Sequence, residues 1–508
     1  MYQYNDYIHT CANMIKQYMD TNKYDDVIQL CIPLYCNTKE VTFLNYILES
    51  YRKTNSVNAI SNFKMLLEHT DPMSTPYCML HNEIGMYYSY NKEYIESINH
   101  FNKILDVRND IPDVYYNIGV CYKNIKEYNK ALEYLDRMLQ LHPSDNIYNV
   151  IGDISFYLKQ YDKSIQSYES IINQTNANLY NLSFPYLAKK NFLKGFTLYE
   201  NRLSSNNICR QTGLMTRAEV PIPYWDGVEY CNHLMIIYEQ GIGDNIQYFR
   251  FIIELSQKYP DLKLTYFCRS NVSHLFNVDL YPNINIMDDS KPVMLTIYDK
   301  KIYIMSLPYI LKIDTLTRNT VNYINEDKNN HDMWKNKLSV FNNKLKVGIV
   351  YNGLLNSFIE KNIELKHFRD ICMDKNIQCI NLHMMNDKML SEFTEIDFND
   401  NIINYNIDAS IPFIDTISIL RNLDILVTID TSITHIAGVM GVKTLLLLGY
   451  MSDWRWFNDN ENMWYDSVEI IRMTENKPLS QVLPHVKNRL VEEYTSKHED
   501  TAEFTGHT

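Results

Sequence analysis

Residues 113–145 read DVYYNIGVCYKNIKEYNKALEYLDRMLQLHPSD. Counted from Gly119, Tyr122 stands at +3, Ala131 at +12, Leu135 at +16 and Pro143 at +24. Gly85 lies 34 residues before Gly119 and Gly152 lies 33 after it. The flanking stretches keep the rhythm, with Tyr88, Ser97 and Phe101 after the first glycine and Ser155, Ser164 and Tyr168 after the last. A fixed period in this range marks an array of supersecondary units. Small residues at the glycine and +12 positions let two antiparallel helices approach closely, and large ones fill the space between units. Polar turns such as 126–129 separate the helices of a pair. Cys11–Cys36 and Leu44–His69 keep the helical pattern without the glycine, and KGFTLYENRL (194–203) reads as a closing second helix. About five helix–turn–helix units are expected over residues 1–205.

The central unit closely resembles the tetratricopeptide (TPR) repeat. Beyond residue 220 or so the period changes. Short β-rich runs alternate with amphipathic helices: LMIIYE (234–239), LKLTYFC (262–268), INIMD (284–288), KVGIVYN (346–352), QCINLH (378–383), ILVTID (425–430), TLLLLG (444–449) and VEIIRM (468–473). Continuous apolar strands between helices point to parallel sheets buried on both faces. The polar, Asn/Lys-rich stretch 319–344 interrupts the series and reads as a linker between two α/β units. Ligands of such folds bind at the carboxyl ends of strands, often between domains.

Bulk composition excludes several classes. Over 508 residues, 48 basic against 61 acidic side chains give a net charge of −13, so no overall pull toward nucleic acid is expected. No apolar run approaches the length of a membrane span, and no leader pattern is seen at the N-terminus. Ten cysteines without a C-x-x-C pair argue against a zinc site or disulfide scaffold and for a reducing, cytoplasmic setting. Glycine is scarce, 14 in all, so each one marks a position where the backbone is constrained.

Three strand-end segments carry the candidate chemistry. In Tyr238–Gln247, YEQGIGDNIQ, Gly241 and Gly243 sit where a strand gives way to a helix. The free N–H groups there suit an anion. Asp244 reads either as an N-cap or as a general base for an acceptor hydroxyl. In Asp430–Gly438, DTSITHIAG, the amides of Thr431 and Ser432 are placed to hold a diphosphate, Asp430 is a possible cap, and His435 faces the phosphate or is a satisfied core histidine. In Gly449–Trp456, GYMSDWRW, rings beside a guanidinium suit sugar or base stacking, or pack the last loop onto the sheet. Lys361 reads as a phosphate-neutralising cation or an ordinary surface lysine.

Taken in order, PYWDG (223–227), EQGIGDNIQYFRF, MSLP (305–308), DTSITHIAG and DWRWF…WYDS resemble TPR proteins whose C-terminal domain is similar to the ADP-heptose–lipopolysaccharide heptosyltransferase family. The resemblance implies an α-helical TPR solenoid (1–205) followed by α/β GT-B type double Rossmann-like domains. These span 206–325 and 345–475, with a closing helix and tail over 476–508 that crosses back to the first half. It implies inverting, metal-independent sugar transfer from a nucleotide-diphosphate sugar to a protein or glycan acceptor, with no bound cofactor. By that resemblance Asp244 is the catalytic base. Asp430, Thr431 and Ser432 hold the diphosphate with His435 behind them, Gly241 and Gly243 shape the facing loop, and Lys361 offsets phosphate charge. Trp454, Arg455 and Trp456 are expected in the cleft without assigned roles. Ser432 and Lys443 depart from the family's glycine and proline. That keeps open a second reading, a TPR scaffold with a catalytically decayed GT-B domain.

Overall fold

This computed structural model describes residues 2–54, 58–204, 221–290, 292, 294–318, 321–353, 361–383, 402–404, 411–458 and 461–505. The expected boundary at 205/206 lies outside them. The chain divides into two compact units, Met1–Asn173 and Gln174–Thr508. Among the described residues no helix is long and apolar enough to cross a membrane.

The first unit is helical: α1 (Tyr2–Asp20), α2 (Tyr24–Thr38), α3 (Val41–Thr54), α4 (Ala59–Glu68), α5 (Thr75–Tyr90), α6 (Tyr94–Leu105), α7 (Pro112–Asn124), α8 (Tyr128–Leu141), α9 (Asp145–Tyr157) and α10 (Tyr161–Glu169). The repeat glycines do what their spacing implies. A Cβ on Gly85 would stand 2.8 Å from the Phe101 ring, on Gly119 2.7 Å from Leu135 Cγ, and on Gly152 2.9 Å from the Tyr168 ring. At the +12 position Ser97 and Ser164 donate to the carbonyls of Gly85 and Gly152, each at 2.8 Å. Each partner is thus the residue sixteen or twelve positions on.

The turns inside the pairs avoid glycine. Asn22, Lys92, Lys126 and Lys159 adopt φ of 58°, 64°, 63° and 60°. In each turn the next N–H bonds five residues back: Lys23 to Tyr18, Glu93 to Tyr88, Glu127 to Tyr122 and Gln160 to Ser155, at 2.8–2.9 Å. This is the left-handed helix stop that glycine ordinarily fills.

The second unit opens with one more helix pair, α11 (Asn176–Ala188) and α12 (Phe192–Tyr199), followed by a short 3₁₀ turn, Glu200–Ser204. In sequence this pair continues the repeat series; in space it belongs with the α/β region. The first parallel sheet comprises β1 (His233–Ile237), β2 (Lys263–Cys268), β3 (Ile284–Asp288) and β4 (Lys300–Tyr303) in the order β3-β2-β1-β4. The second comprises β5 (Leu345–Val350), β6 (Ile377–Asn381), β7 (Ile402–Asn404), β8 (Ile425–Ile429), β9 (Thr444–Leu448) and β10 (Val468–Arg472). Its order is β10-β9-β8-β5-β6-β7, again all parallel. Read from its first strand this is the Rossmann arrangement, and the first sheet repeats its opening four strands. Both sheets therefore reverse direction beside their first strand, between β1 and β4 and between β5 and β8. The paired parallel sheets form a GT-B type α/β region.

Helices α13 (Ile242–Lys258) and α14 (Leu307–Leu311) belong to the first half. Helices α15 (Lys328–Leu338), α16 (Arg369–Cys372), α17 (Ile414–Arg421), α18 (Ser432–Val439) and α19 (Leu483–Thr505) follow in chain order. Two expectations change here. The stretch read as a linker contains α15, whose buried Trp334 donates to Asp415 Oδ1 at 2.7 Å and whose Asn330 bonds Ser418 Oγ at 2.9 Å, so it packs on α17. The closing helix α19 buries Val486 and Leu490 in the core of the second sheet, and Lys497 reaches Asp424 at 2.8 Å. It covers the half it follows, not the first half that the resemblance implies.

Two variants test the repeat geometry. Gly119→Val forces Leu135 aside and lowers stability by about 1–3 kcal/mol, read as faster hydrogen exchange in α7 and α8. Unchanged exchange would mean that the helices do not meet there. Lys126→Gly relieves the left-handed backbone and slows the same exchange, with a gain of about 0.5–1 kcal/mol after the flexibility of the unfolded chain is subtracted.

Candidate functional site

The elements described above end at one place. Loops leaving the carboxyl ends of β1, β2, β5, β6, β8 and β9 line a single cleft of about 570 Å³. Every residue singled out from the sequence lines it: Gly241, Gly243, Asp244, Lys361, Asp430, Thr431, Ser432 and His435, together with Arg455 and Trp456. Trp454, expected beside them, is buried and is not among the lining residues.

Gly241 precedes α13 in an extended conformation, with φ −82°. The N-cap is thus Gly241 and not Asp244, which stands at the third helical position and accepts the Gly241 N–H on Oδ2 at 3.0 Å. The other oxygen, Oδ1, pairs with Arg455 Nη2 at 3.0 Å. Asp244 therefore steadies the first turn from inside the helix and also lines the cleft. Asn245 secures the turn by donating to the Glu239 and Gly241 carbonyls, both at 2.7 Å, and accepts from the Tyr266 hydroxyl at 2.9 Å. Gly243 is the point of contact with the other half. A Cβ there would lie 2.9 Å from His435 Cδ2 and 3.2 Å from Ser432 Cα. The glycine serves a close approach of two helix starts.

On the facing wall Thr431 is the extended residue before α18, with φ −142° and ψ 173°. The first-turn amides of α18 open at the cleft, where an anion is favoured. Lys361 Nζ donates to the Asp430 carbonyl at 2.9 Å, which puts its charge at the same turn. Burial pushes the Asp430 carboxyl above its usual range, against the opposing pull of Lys361. Thr431 Oγ1 and Asn352 Oδ1 are buried at this wall with no hydrogen-bond partner among the described residues.

His435 is a core histidine that also touches the cleft. Its Nδ1 lies 3.0 Å from the Tyr465 hydroxyl, and its ring stacks on Trp456 at 5.5 Å. Burial, reinforced by Arg455, pulls its pKa down to about 3, so at neutral pH it brings a polar edge to the cleft and no positive charge. Behind it, Gly438 leaves room for the Tyr465 ring, which would stand 2.4 Å from a Cβ.

Four further polar residues that the sequence reading did not single out also line the cleft. Arg269, after β2, adds a cation at the rim. Asp453 pairs with Arg455 Nη1 at 3.0 Å, so the buried guanidinium is shared by two carboxylates. Asn352 follows β5. His383, after β6, accepts the N–H groups of Tyr351 and Asn352 on Nε2 at 2.9 and 3.1 Å. The sequence signal of Arg269, Asn352 and His383 is position, within a residue or two of a strand end, while Asp453 lies five residues beyond β9. The site can therefore offer a proton acceptor on one wall, and helix amides with lysine and arginine on the others.

Residues 112–145 and 146–178 each match the tetratricopeptide repeat family. The TPR repeat-containing protein MJ1428 of Methanocaldococcus jannaschii is 26% identical over 160 residues, 28% of this chain and 28% of that protein. The BBSome complex member BBS4 of Mus musculus is 33% identical over 66 residues, 13% of each. The chain thus spans 28% and 13% of these curated relatives. Among solved structures, MamA is 19% identical at a TM-score of 0.29, over 32% of this chain and 95% of MamA. E. coli ADP-heptose lps heptosyltransferase II is 12% identical at a TM-score of 0.38, over 51% of this chain and 99% of that one. The helical part of this chain carries tetratricopeptide repeats.

The His383 arrangement has a pH consequence. Burial depresses its pKa to about 4, and protonation of Nε2 would also break the two bonds from the loop amides. A folded pKa below the unfolded value near 6.5 gives stability fully present above pH ~6.5 and lost as pH falls toward 4. His435 acts in the same direction and Asp430 in the opposite one. Acidification from pH 7 to 4 costs about 1–3 kcal/mol through His383, and His383→Gln removes that part of the slope in urea titrations. An unaltered slope in the variant would contradict the assignment.

Proposed function

We propose that this protein is a glycosyltransferase that moves a sugar from a nucleotide-diphosphate donor to a protein or glycan hydroxyl, with inversion and without a metal. One observation carries the reading: eight residues chosen from the sequence, seven in two separate motifs and the isolated Lys361, line one cleft, at the switch points of both sheets. In this reading Asp244 accepts the proton of the acceptor hydroxyl as that oxygen bonds the anomeric carbon. The bond from that carbon to the diphosphate breaks on the opposite face, and its electron pair leaves on the phosphate oxygen. Lys361, Arg269 and the first-turn amides of α18, at Ser432 and beside Asp430 and Thr431, offset the charge that develops. Gly241 and Gly243 keep the facing loop close. The tetratricopeptide repeats are suited to presenting a protein acceptor, and the setting is cytoplasmic.

A second reading, a repeat scaffold with a decayed transferase domain, is favoured by one fact: both Asp244 oxygens already have partners. Turnover separates the two. Purified chain incubated with a panel of nucleotide-diphosphate sugars transfers or hydrolyses at least one. Asp244→Asn lowers kcat by about 10²–10⁴ while donor affinity stays within a few-fold. If no donor turns over and partner capture by the repeats survives Asp244→Asn, the scaffold reading stands instead.

A further inference from the structure

The last helix pair, α11 and α12, does more than close the repeat series. Tyr199, at the end of α12, is buried, with its ring 4.9 Å from the Arg202 guanidinium and 5.2 Å from the Tyr180 ring. Its hydroxyl accepts from Gln240 Nε2 at 2.5 Å. Gln240 has φ +61°, a left-handed conformation that a non-glycine residue keeps only when its surroundings impose it. Gln240 Oε1 accepts from Arg455 Nη2 at 3.5 Å, and the same nitrogen holds Asp244 Oδ1 at 3.0 Å. A path of polar contacts therefore runs from the repeat helix to the carboxylate.

The second loop that touches Asp244 rests on the same helices. Phe196 meets Trp454 edge-on at 6.2 Å, and Phe192 meets Phe457 at 6.1 Å. Phe457 is itself at φ +48°. Lys190 pairs with Glu461 at 2.9 Å just beyond. Both loops that hold Asp244 are thus fixed by one helix pair, through strained residues at each.

We propose that Tyr199 is a positioning residue for Asp244, acting through Gln240 and Arg455, and that the last repeat pair is in this way a working part of the cleft. The proposal rests on the reading of Asp244 as the base. A packing role alone would be served by phenylalanine, whereas the path uses the hydroxyl.

The test is Tyr199→Phe in the full-length chain labelled with 5-fluorotryptophan. The chain has five tryptophans. Trp454, Trp456 and Trp464 surround Arg455, Trp464 by donating to its carbonyl at 2.7 Å, while Trp225 and Trp334 lie in other elements as internal references. With each ¹⁹F resonance assigned by Trp→Phe substitution, Tyr199→Phe moves the resonances of Trp454 and Trp456 and leaves those of Trp225 and Trp334 in place. In a sugar-transfer assay kcat falls by about ten- to a hundredfold with donor KM within twofold. No movement at Trp454 and Trp456, equal movement of all five, or a normal kcat in an active chain would overturn the proposal. If the wild-type chain transfers no sugar from any donor, the transferase reading fails while the ¹⁹F pattern still decides whether Tyr199 sets the loop.

Discussion

Everything at the cleft depends on one close approach. Helices α13 and α18 start at the carboxyl ends of β1 and β8, 190 residues apart in the chain, and they meet because position 243 has no Cβ. A side chain there would meet the His435 ring and the Ser432 backbone at once. Backbone cannot give way as a flexible side chain can. The two helix starts would have to separate, and with them Asp244 from the Asp430–Ser432 turn. Since α/β sheets leave their ligand space at these strand ends, the dimension of the cleft is set by this glycine.

The same logic explains how a glycine-poor chain folds. Among the described residues ten non-glycine positions have positive φ against two glycines, Gly227 and Gly441. Left-handed turns are carried by lysine and asparagine at a cost of about 1 kcal/mol or more each. Glycine is kept for contacts where a Cβ would collide: Gly85, Gly119, Gly152, Gly243, Gly348 and Gly438. The first trade is tolerable because a strained turn raises energy locally. A collision between two packed elements has no local remedy in an interior as dense as a crystal.

This division also marks what was legible in the sequence. The glycine spacing gave the phase of the repeats, and the contacts of Phe101, Leu135 and Tyr168 follow it residue by residue. All eight apolar runs are strands. Two more strands escaped notice because they lack the apolar signal: β4 begins Lys300-Lys301, with Lys301 buried and its ammonium over the Tyr224 ring, and β7 has only three residues. The roles of Arg202, Asn245 and His383 were not legible, since each is defined by a partner brought close by tertiary folding. Arg202 meets Glu239 across 37 residues, and nothing in YENRL distinguishes a buried arginine from a surface one. The affiliation of α11 and α12 was hidden for the same reason: their helical pattern is that of the repeats, and only their long-range contacts assign them to the α/β unit.

Arg202 and Glu239 show why that attachment is ionic. Both side chains are fully buried, and burying charges costs enough that an apolar pair of similar size would often be the more stable choice. What the ion pair adds is direction. Nε and Nη2 of Arg202 hold the two Glu239 oxygens at 3.0 and 2.6 Å, Nη2 also reaches Ser306 Oγ at 2.8 Å, and Nη1 serves Glu200 and the Tyr199 carbonyl at 2.6 and 3.3 Å. All five guanidinium N–H bonds are used. Glu239 accepts the Met305 N–H at 3.0 Å as well, joining the end of β1 to the residues after β4. Apolar surfaces can slide past one another by a fraction of an ångström at little cost, whereas a fork of directed bonds cannot. Glu239 is the residue before Gln240 and five before Asp244, so fixing its carboxylate fixes the origin from which the cleft-facing loop is built. The buried charge is best understood as register, maintained at the one strand end where a small displacement would reach Asp244.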